Sequence, residues 1–296
     1  MTKRGELLRG LALSAALGLA AWFFPIARLA HVFFDLGLSP SNSGLAAQGA
    51  FLVVVLLGAA ILLRGAARKW LGFEHAHATT QAAFFALPSH VVTTWIALAV
   101  ALPTHTLELE RHSTPVVRAH AAPIVRITTE GPLVATLLSS ALIAAIFEET
   151  FFRGLLWTAL ARLAAQFRTL TILDAVLKAV VPLVACTLIF ALLHADTPGG
   201  VGIVRVVSAT VLGLVCGLWR IFSKSTVPAI VIHTLNNVVA IGRARGWMKG
   251  APSDLIFGVP AALVVLATLS FMVLGAILLW NARRRIPKPD QEEFGE

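Results

Sequence analysis

Eight stretches of about 20 mainly apolar residues dominate the sequence, and this is the length that a helix needs to cross the hydrocarbon core of a bilayer. They are predicted at residues 8–27, 45–63, 82–102, 132–160, 172–194, 200–222, 226–242 and 256–280. Because backbone polar groups in lipid must be satisfied within their own segment, we expect each stretch to be a helix. The predicted fold class is all-α, a polytopic bundle of transmembrane helices.

The composition excludes other classes of protein. Apolar residues make up 57% of the chain and charged residues only 13%, against roughly 45–50% and about 25% in soluble domains. A chain this hydrophobic is not disordered. Its two cysteines, Cys186 and Cys216, lie in apolar runs, which argues against a disulfide scaffold and against thiol catalysis. The net charge of +9 is better explained by basic loops at a membrane face than by nucleic-acid binding.

The lysines and arginines predict the orientation of the chain. With the N-terminus inside, 16 of the 24 lie on the cytoplasmic side and 8 on the outer side, so both termini are predicted to be cytoplasmic. We expect three parts: spans 1–3 with an outer loop (1–130), a core of spans 4–7 (131–242), and a last span with a basic tail (243–296). The first apolar stretch runs past signal-peptide length and is interpreted as a retained span. The expected location is a bacterial cytoplasmic membrane.

Of the 15 acidic residues, only Glu148 and Glu149 lie well inside an apolar stretch. An acid in mid-membrane costs roughly 2.5–3.5 kcal/mol on insertion scales, so the pair indicates a functional site. Glu149 and Arg153 are four residues apart on one helix face and are predicted to pair. Glu148 points about 100° away from Glu149 and has no partner on its own helix. A carboxyl group in that position suits a general base or acid.

Polar side chains on later spans extend this candidate site. His194 ends the run LVACTLIFALLH, and His233 lies inside VPAIVIHTLNNVVAIG. Asn236 and Asn237 follow His233 by three and four residues, so Asn237 lies on the same helix face as His233. One carboxylate, two imidazoles and an amide form a plausible catalytic set, and the alternative is that each makes a helix–helix hydrogen bond. Zinc-protease, serine-hydrolase and nucleotide-binding motifs are absent from the sequence.

Three short patterns on successive spans resemble the CPBP family of intramembrane proteases. They are EETFFR with Glu148, Glu149 and Arg153, FALLH with Phe190 and His194, and HTLNN with His233 and Asn237. The family includes type II CAAX prenyl endopeptidases, bacteriocin-processing proteins and abortive-infection-like self-immunity proteins. The resemblance covers residues 131–242. It implies hydrolysis of a peptide bond near the C-terminus of a membrane-tethered or lipidated protein.

The resemblance also implies roles for the side chains. Glu148 would activate water, and His194 would share that task or orient the water. His233 and Asn237 would hold the developing oxyanion. Glu149 and Arg153 would be structural or would orient the substrate, and Phe190 and Asn236 are further supporting residues.

Metal use and two other functions stay open. Zinc is a possible cofactor, held by Glu148, His194 and His233, whereas Asn237 favours a metal-independent site because an amide suits an oxyanion and is a poor zinc ligand. The expected partners are a membrane-anchored protein or peptide and the lipid bilayer, with no nucleic acid. The alternatives are a non-catalytic immunity or scaffold membrane protein, and a proton-coupled transporter that uses the same Glu and His set as a relay.

Overall fold

The structure, a computed structural model, describes residues 3–23, 26–73, 131–166, 171–195 and 199–245, together with positions 93 and 96. Within these ranges all regular secondary structure is helical, which confirms the predicted all-α class. The predicted span 256–280 lies outside the described residues. Of the predicted span 82–102, only positions 93 and 96 are described.

The helices follow one another with short connections inside each described range. They are α1 Lys3–Phe23, α2 Ile26–Asp35, α3 Pro40–Leu63, α4 Ala67–Trp70, α5 Leu133–Ala164, α6 Thr171–Leu192, α7 Gly199–Ser223 and α8 Val227–Ala244. A 3₁₀ turn, Arg64–Ala66, joins α3 to α4. At the start of α3, the Ser39 hydroxyl accepts the Asn42 N–H at 3.4 Å and Pro40 occupies the first turn, which are ordinary signals for a helix N-terminus.

Three of the described helical segments are long and apolar enough to cross a membrane. They are Asn42–Trp70, Leu133–Ala164 and Arg205–Ser223, and shorter apolar helices cover Leu177–Leu192 and Val227–Gly242. These five segments coincide with the second, fourth, sixth, fifth and seventh predicted spans. The total of eight spans and the cytoplasmic placement of both termini stay predictions.

Helix α5 lies at the centre of the described bundle and contacts α1, α3, α6 and α8. Aromatic side chains fill much of the core around it. The Phe51 ring of α3 lies 5.5 Å from the Phe147 ring of α5, and the Phe152 ring lies 5.3 Å from the Phe190 ring of α6. Helix α7 carries Gly213 where it meets α6, and a methyl group at that position would lie 3.1 Å from a carbon of Thr187. Small residues at such crossings let helix backbones approach closely in a membrane.

The two ends of the bundle hold different polar contacts. At one end Glu6 of α1 pairs with Arg162 of α5 at 2.5 Å and accepts the Trp70 indole N–H at 2.6 Å. At the other end Arg245 donates to the Gly131 carbonyl at 2.5 Å. The first group was predicted on the cytoplasmic side and Arg245 on the outer side, and this orientation stays a prediction. The division into residues 1–130, 131–242 and 243–296 stays a prediction; α1 and α3 pack directly on α5.

Candidate active site

The two acids lie in an unusual stretch of α5. The segments Leu137–Ile143 and Thr150–Leu156 are π-helical, and a short α-helical segment, Ala144–Glu149, lies between them. A π turn closes its hydrogen bond over five residues instead of four, is rare, and is found frequently at functional sites. Glu148 and Glu149 therefore lie close to the middle of α5, at the junction with the second π segment.

Glu149 and Arg153 form the ion pair that their spacing predicted. The Arg153 Nη1 atom lies 3.1 Å from Glu149 Oε1, and neither side chain is exposed to solvent. Arg153 Nη2 donates to the Gly213 carbonyl at 3.0 Å, and its guanidinium carbon lies 4.8 Å from the centroid of the Phe190 ring. A buried charge pair needs such additional partners because its desolvation otherwise exceeds the attraction between the charges.

Glu149 has a second partner that the sequence did not reveal. His233 Nδ1 lies 2.8 Å from Glu149 Oε1, and His233 is almost fully buried. A carboxylate can only accept, so Nδ1 carries the hydrogen of this bond. The Glu149 carboxylate therefore sets the orientation of the His233 ring and directs Nε2 to the opposite side.

Glu148 lies on that opposite side of His233. Its Oε2 atom is 3.7 Å from His233 Nε2, which is longer than a hydrogen bond. Among the described residues this buried oxygen has no hydrogen-bond partner, although 18% of the Glu148 side chain remains exposed. The two groups therefore face each other without a direct hydrogen bond.

His194 reaches the same region from the end of α6. Its Nδ1 atom lies 2.8 Å from the Phe190 carbonyl, and its ring lies 4.6 Å from the Phe190 ring. The edge of the Phe190 ring in turn meets His233, with centroids 5.8 Å apart. Both imidazoles thus contact the same phenyl ring. Because a carbonyl only accepts, Nδ1 of His194 carries a hydrogen, and in the neutral ring Nε2 is left as an acceptor.

Asn237 lies one turn beyond His233 on α8, as the spacing predicted. Its Nδ2 atom donates to the Ser140 carbonyl in the first π segment of α5 at 3.1 Å. An amide nitrogen has two hydrogens, of which this bond uses one. Asn236, the neighbouring supporting residue, is half-buried on α8. The catalytic and supporting roles of all these residues stay predictions.

The part of the chain that the structure describes contains no three-ligand cluster suited to zinc. No group of three or more His, Cys, Asp and Glu side chains there is arranged to hold a metal ion. Glu148 and His233 lie 3.7 Å apart, and Nδ1 of His194 is used in its bond to the Phe190 carbonyl. Zinc use stays an open alternative.

Two backbone carbonyls take part in the site without any signal in the sequence. The Gly213 carbonyl holds Arg153, and the Ser140 carbonyl holds Asn237. A glycine in the apolar run of α7 is a general sign of close helix approach, but it does not identify the partner. Nothing comparable marks Ser140.

The fold and the site together define a helical membrane protein with a buried Glu–His–Asn cluster between α5 and α8. The segment 130–239 matches the family model described as type II CAAX prenyl endopeptidase Rce1-like. This match contains all three motifs and confirms the resemblance inferred from them; it covers less than half of the chain and identifies this segment with a family of membrane proteases. Neither the search of curated proteins nor the search of solved structures found a significant match.

Proposed function

We propose that this protein is an intramembrane endopeptidase that cuts near the C-terminus of a membrane-tethered or lipidated protein. The observation that carries the proposal is the Glu148 carboxyl group, which lies in mid-helix, partly exposed, with a buried oxygen that has no hydrogen-bond partner among the described residues and faces His233 at 3.7 Å. A buried acid without a partner is destabilising, so its presence needs a functional reason.

Glu148 would act as the general base of the hydrolysis. A water molecule beside Glu148 gives a proton to the carboxylate while its oxygen attacks the carbonyl carbon of the scissile bond. The acceptor nitrogen Nε2 of His194 would orient that water. The tetrahedral intermediate then collapses, the C–N bond breaks, and the proton held by Glu148 goes to the leaving amine.

His233 and Asn237 would stabilise the oxyanion that forms during this attack. A protonated His233 ring, an imidazolium, can donate through both of its nitrogens. The imidazolium keeps Nδ1–H on Glu149 and has Nε2–H left for the oxyanion, beside the second amide hydrogen of Asn237.

The substrate class is supported by the family match of residues 130–239. A C-terminal CAAX sequence carries a prenyl group on its cysteine, which anchors the substrate in the bilayer that surrounds this helix bundle. The Rce1-like description supports processing of such tails, and the apolar helices support a location in a membrane. Nothing in the described part of the chain favours the immunity, scaffold or transporter alternatives.

The test is cleavage of a fluorogenic peptide with a prenylated cysteine three residues from its C-terminus. We expect the purified full chain to release the C-terminal fragment, and Glu148→Gln to lower kcat by roughly 10²- to 10⁴-fold, the usual contribution of a general base. Asp35→Asn, which removes an exposed acid at the end of α2, is the matched control and keeps wild-type activity. Equal cleavage by wild type and Glu148→Gln would refute the role of Glu148.

A chelator arm separates the two catalytic types. Activity that persists after treatment with a zinc chelator, together with loss in Glu148→Gln, supports the glutamate mechanism. Activity that disappears on chelation and returns with added zinc contradicts it.

A further inference from the structure

The turn that follows α4 lies outside the segment that matches the protease family, yet it touches three helices of that segment. This 70–72 turn consists of Trp70, Leu71 and Gly72. The Trp70 carbonyl accepts the Thr158 hydroxyl of α5 at 2.9 Å. On the same helix Gly154 lies so close that an added methyl group would be 2.7 Å from the Leu71 carbonyl oxygen.

The same turn holds the N-terminus of α8. The Leu71 carbonyl accepts the Thr226 hydroxyl at 2.8 Å, and the Gly72 carbonyl accepts the Thr226 N–H at 2.8 Å. Thr226 is completely buried and directly precedes α8. His233 follows Thr226 by seven residues, or about 10 Å of helix. Because a helix is rigid over two turns, the position of Thr226 along the axis of α8 fixes the position of His233 along that axis.

Arg220 of α7 connects the turn to the backbone of α5 beside the ion pair. Its Nε atom donates to the Arg153 carbonyl at 2.7 Å, while its guanidinium carbon lies 3.0 Å from where a Gly72 side chain would begin. Gly72 has φ +74°, and an added Cβ would also lie 2.4 Å from the Thr226 hydroxyl. Only glycine combines this backbone conformation with such close neighbours.

We propose that the 70–72 turn is a positioning element of the active site, which sets the height of α8 against α5 and so the alignment of His233 with Glu149 and Glu148. This inference rests on the proposed protease function. The physical reason is that the 2.8 Å contact between His233 and Glu149 joins two helices, and a hydrogen bond weakens steeply when its partners shift. The turn contacts both α5 and α8, so it resists movement of one helix along the other.

Two substitutions at the turn test the inference, each with a matched control. Thr226→Val removes the hydroxyl that binds Leu71. Thr210→Val removes a hydroxyl whose bond, within the described part of the chain, is to the Val206 carbonyl on its own helix. Gly72→Ala adds the colliding methyl group. Gly37→Ala is the control, since Gly37 also has positive φ (+93°) but no described residue within 4 Å of the added carbon.

The readout is kcat and KM of the folded full chain for the prenylated fluorogenic peptide, well below the unfolding temperature. We expect Thr226→Val and Gly72→Ala to lower kcat by roughly 10- to 100-fold, as small misplacements of catalytic groups do, with little change in KM. The control variants Thr210→Val and Gly37→Ala should keep kcat and KM near the wild-type values. Thr226→Ser, which keeps the hydroxyl, restores kcat. A role in stability alone would lower the unfolding temperature and leave kcat of the folded protein unchanged, and this result would overturn the inference.

A second measurement follows the helix alignment without activity. The Asn237 side chain contacts the Ser140 backbone, so a Ser140→Cys/Asn237→Cys pair reports the register of α5 and α8 through disulfide formation under a mild oxidant. We expect the disulfide to form more slowly when Gly72→Ala or Thr226→Val is added, and at an unchanged rate with Gly37→Ala. Unchanged rates throughout would refute the positioning role, whereas an inactive wild type with slowed cross-linking would contradict only the protease proposal.

Discussion

Replacing Arg153 by methionine tests the buried Glu149–Arg153 ion pair most directly. The side chain is fully buried, binds Glu149 at 3.1 Å and the Gly213 carbonyl at 3.0 Å, and lies over the Phe190 ring. Methionine preserves most of the apolar volume and removes the charge. Glu149 is then left as a buried carboxylate whose remaining described partner is His233.

The expected loss in the free energy of unfolding is about 3–5 kcal/mol, the range found when one partner of a buried ion pair is removed. That is a large fraction of the roughly 5–15 kcal/mol that stabilises a folded domain. Adding Glu149→Gln removes the orphaned charge, while the glutamine oxygen can still accept the His233 Nδ1–H. The double variant Glu149→Gln/Arg153→Met should therefore regain a substantial part of the loss.

The measurement is equilibrium unfolding in mixed micelles, followed by near-UV circular dichroism of the buried tryptophans, among them Trp219 at 2% exposure. Arg68→Met, on the exposed surface of α4, is the control and should stay within about 0.5 kcal/mol of wild type. A loss below about 1 kcal/mol for Arg153→Met, or a double variant less stable than the single one, would show that the pair is not a coupled buried unit.

Three further results are expected. Asn237→Ala should lower kcat by roughly 10²- to 10³-fold, the effect of removing an oxyanion donor, with KM nearly unchanged in the peptide assay; a change in KM alone would contradict the role. Gly154→Ala should lose about 1–3 kcal/mol of unfolding free energy through overpacking, measured as a lower unfolding temperature. Gly18→Ala should not, because among the described residues its added carbon meets one atom, at 3.8 Å. The Trp70 indole N–H is the largest cause that holds the pKa of Glu6 below its usual value of 4.5. Ionised Glu6 therefore stabilises the fold above that pH, and this stabilisation is lost as the pH falls through the lowered pKa. Unfolding of wild type and Glu6→Gln should accordingly differ at neutral pH and converge in acid; a constant difference would refute this.

The helical elements of the core were largely predictable from the sequence. The predicted spans 132–160, 172–194, 200–222 and 226–242 correspond to α5, α6, α7 and α8 within a few residues at each end. Length and hydropathy suffice because backbone groups in lipid have to pair within their own segment. Two π segments inside α5 were not predicted, since the apolar pattern is the same for a π turn as for an α turn.

Contacts between residues of one helix were predictable from their spacing, whereas the location of a residue at a helix end was not. Glu149 and Arg153 pair because four residues bring two side chains to one face. The sequence placed His194 at the end of its apolar run. In the structure α6 ends at Leu192, and the His194 ring contacts the Phe190 ring, which also meets His233.

The sequence by itself determined that this chain is a helical membrane protein and that Glu148 is the acid without a partner on its own helix. Both follow from local rules, the helix period and the exclusion of charge from lipid. Only the tertiary structure decided that Glu149 binds His233, 84 positions away, and that Asn237 binds the Ser140 carbonyl. The rotation and height of one helix against another depend on side chains from the whole bundle, including a turn at residues 70–72 far from the motifs, and no single segment encodes them.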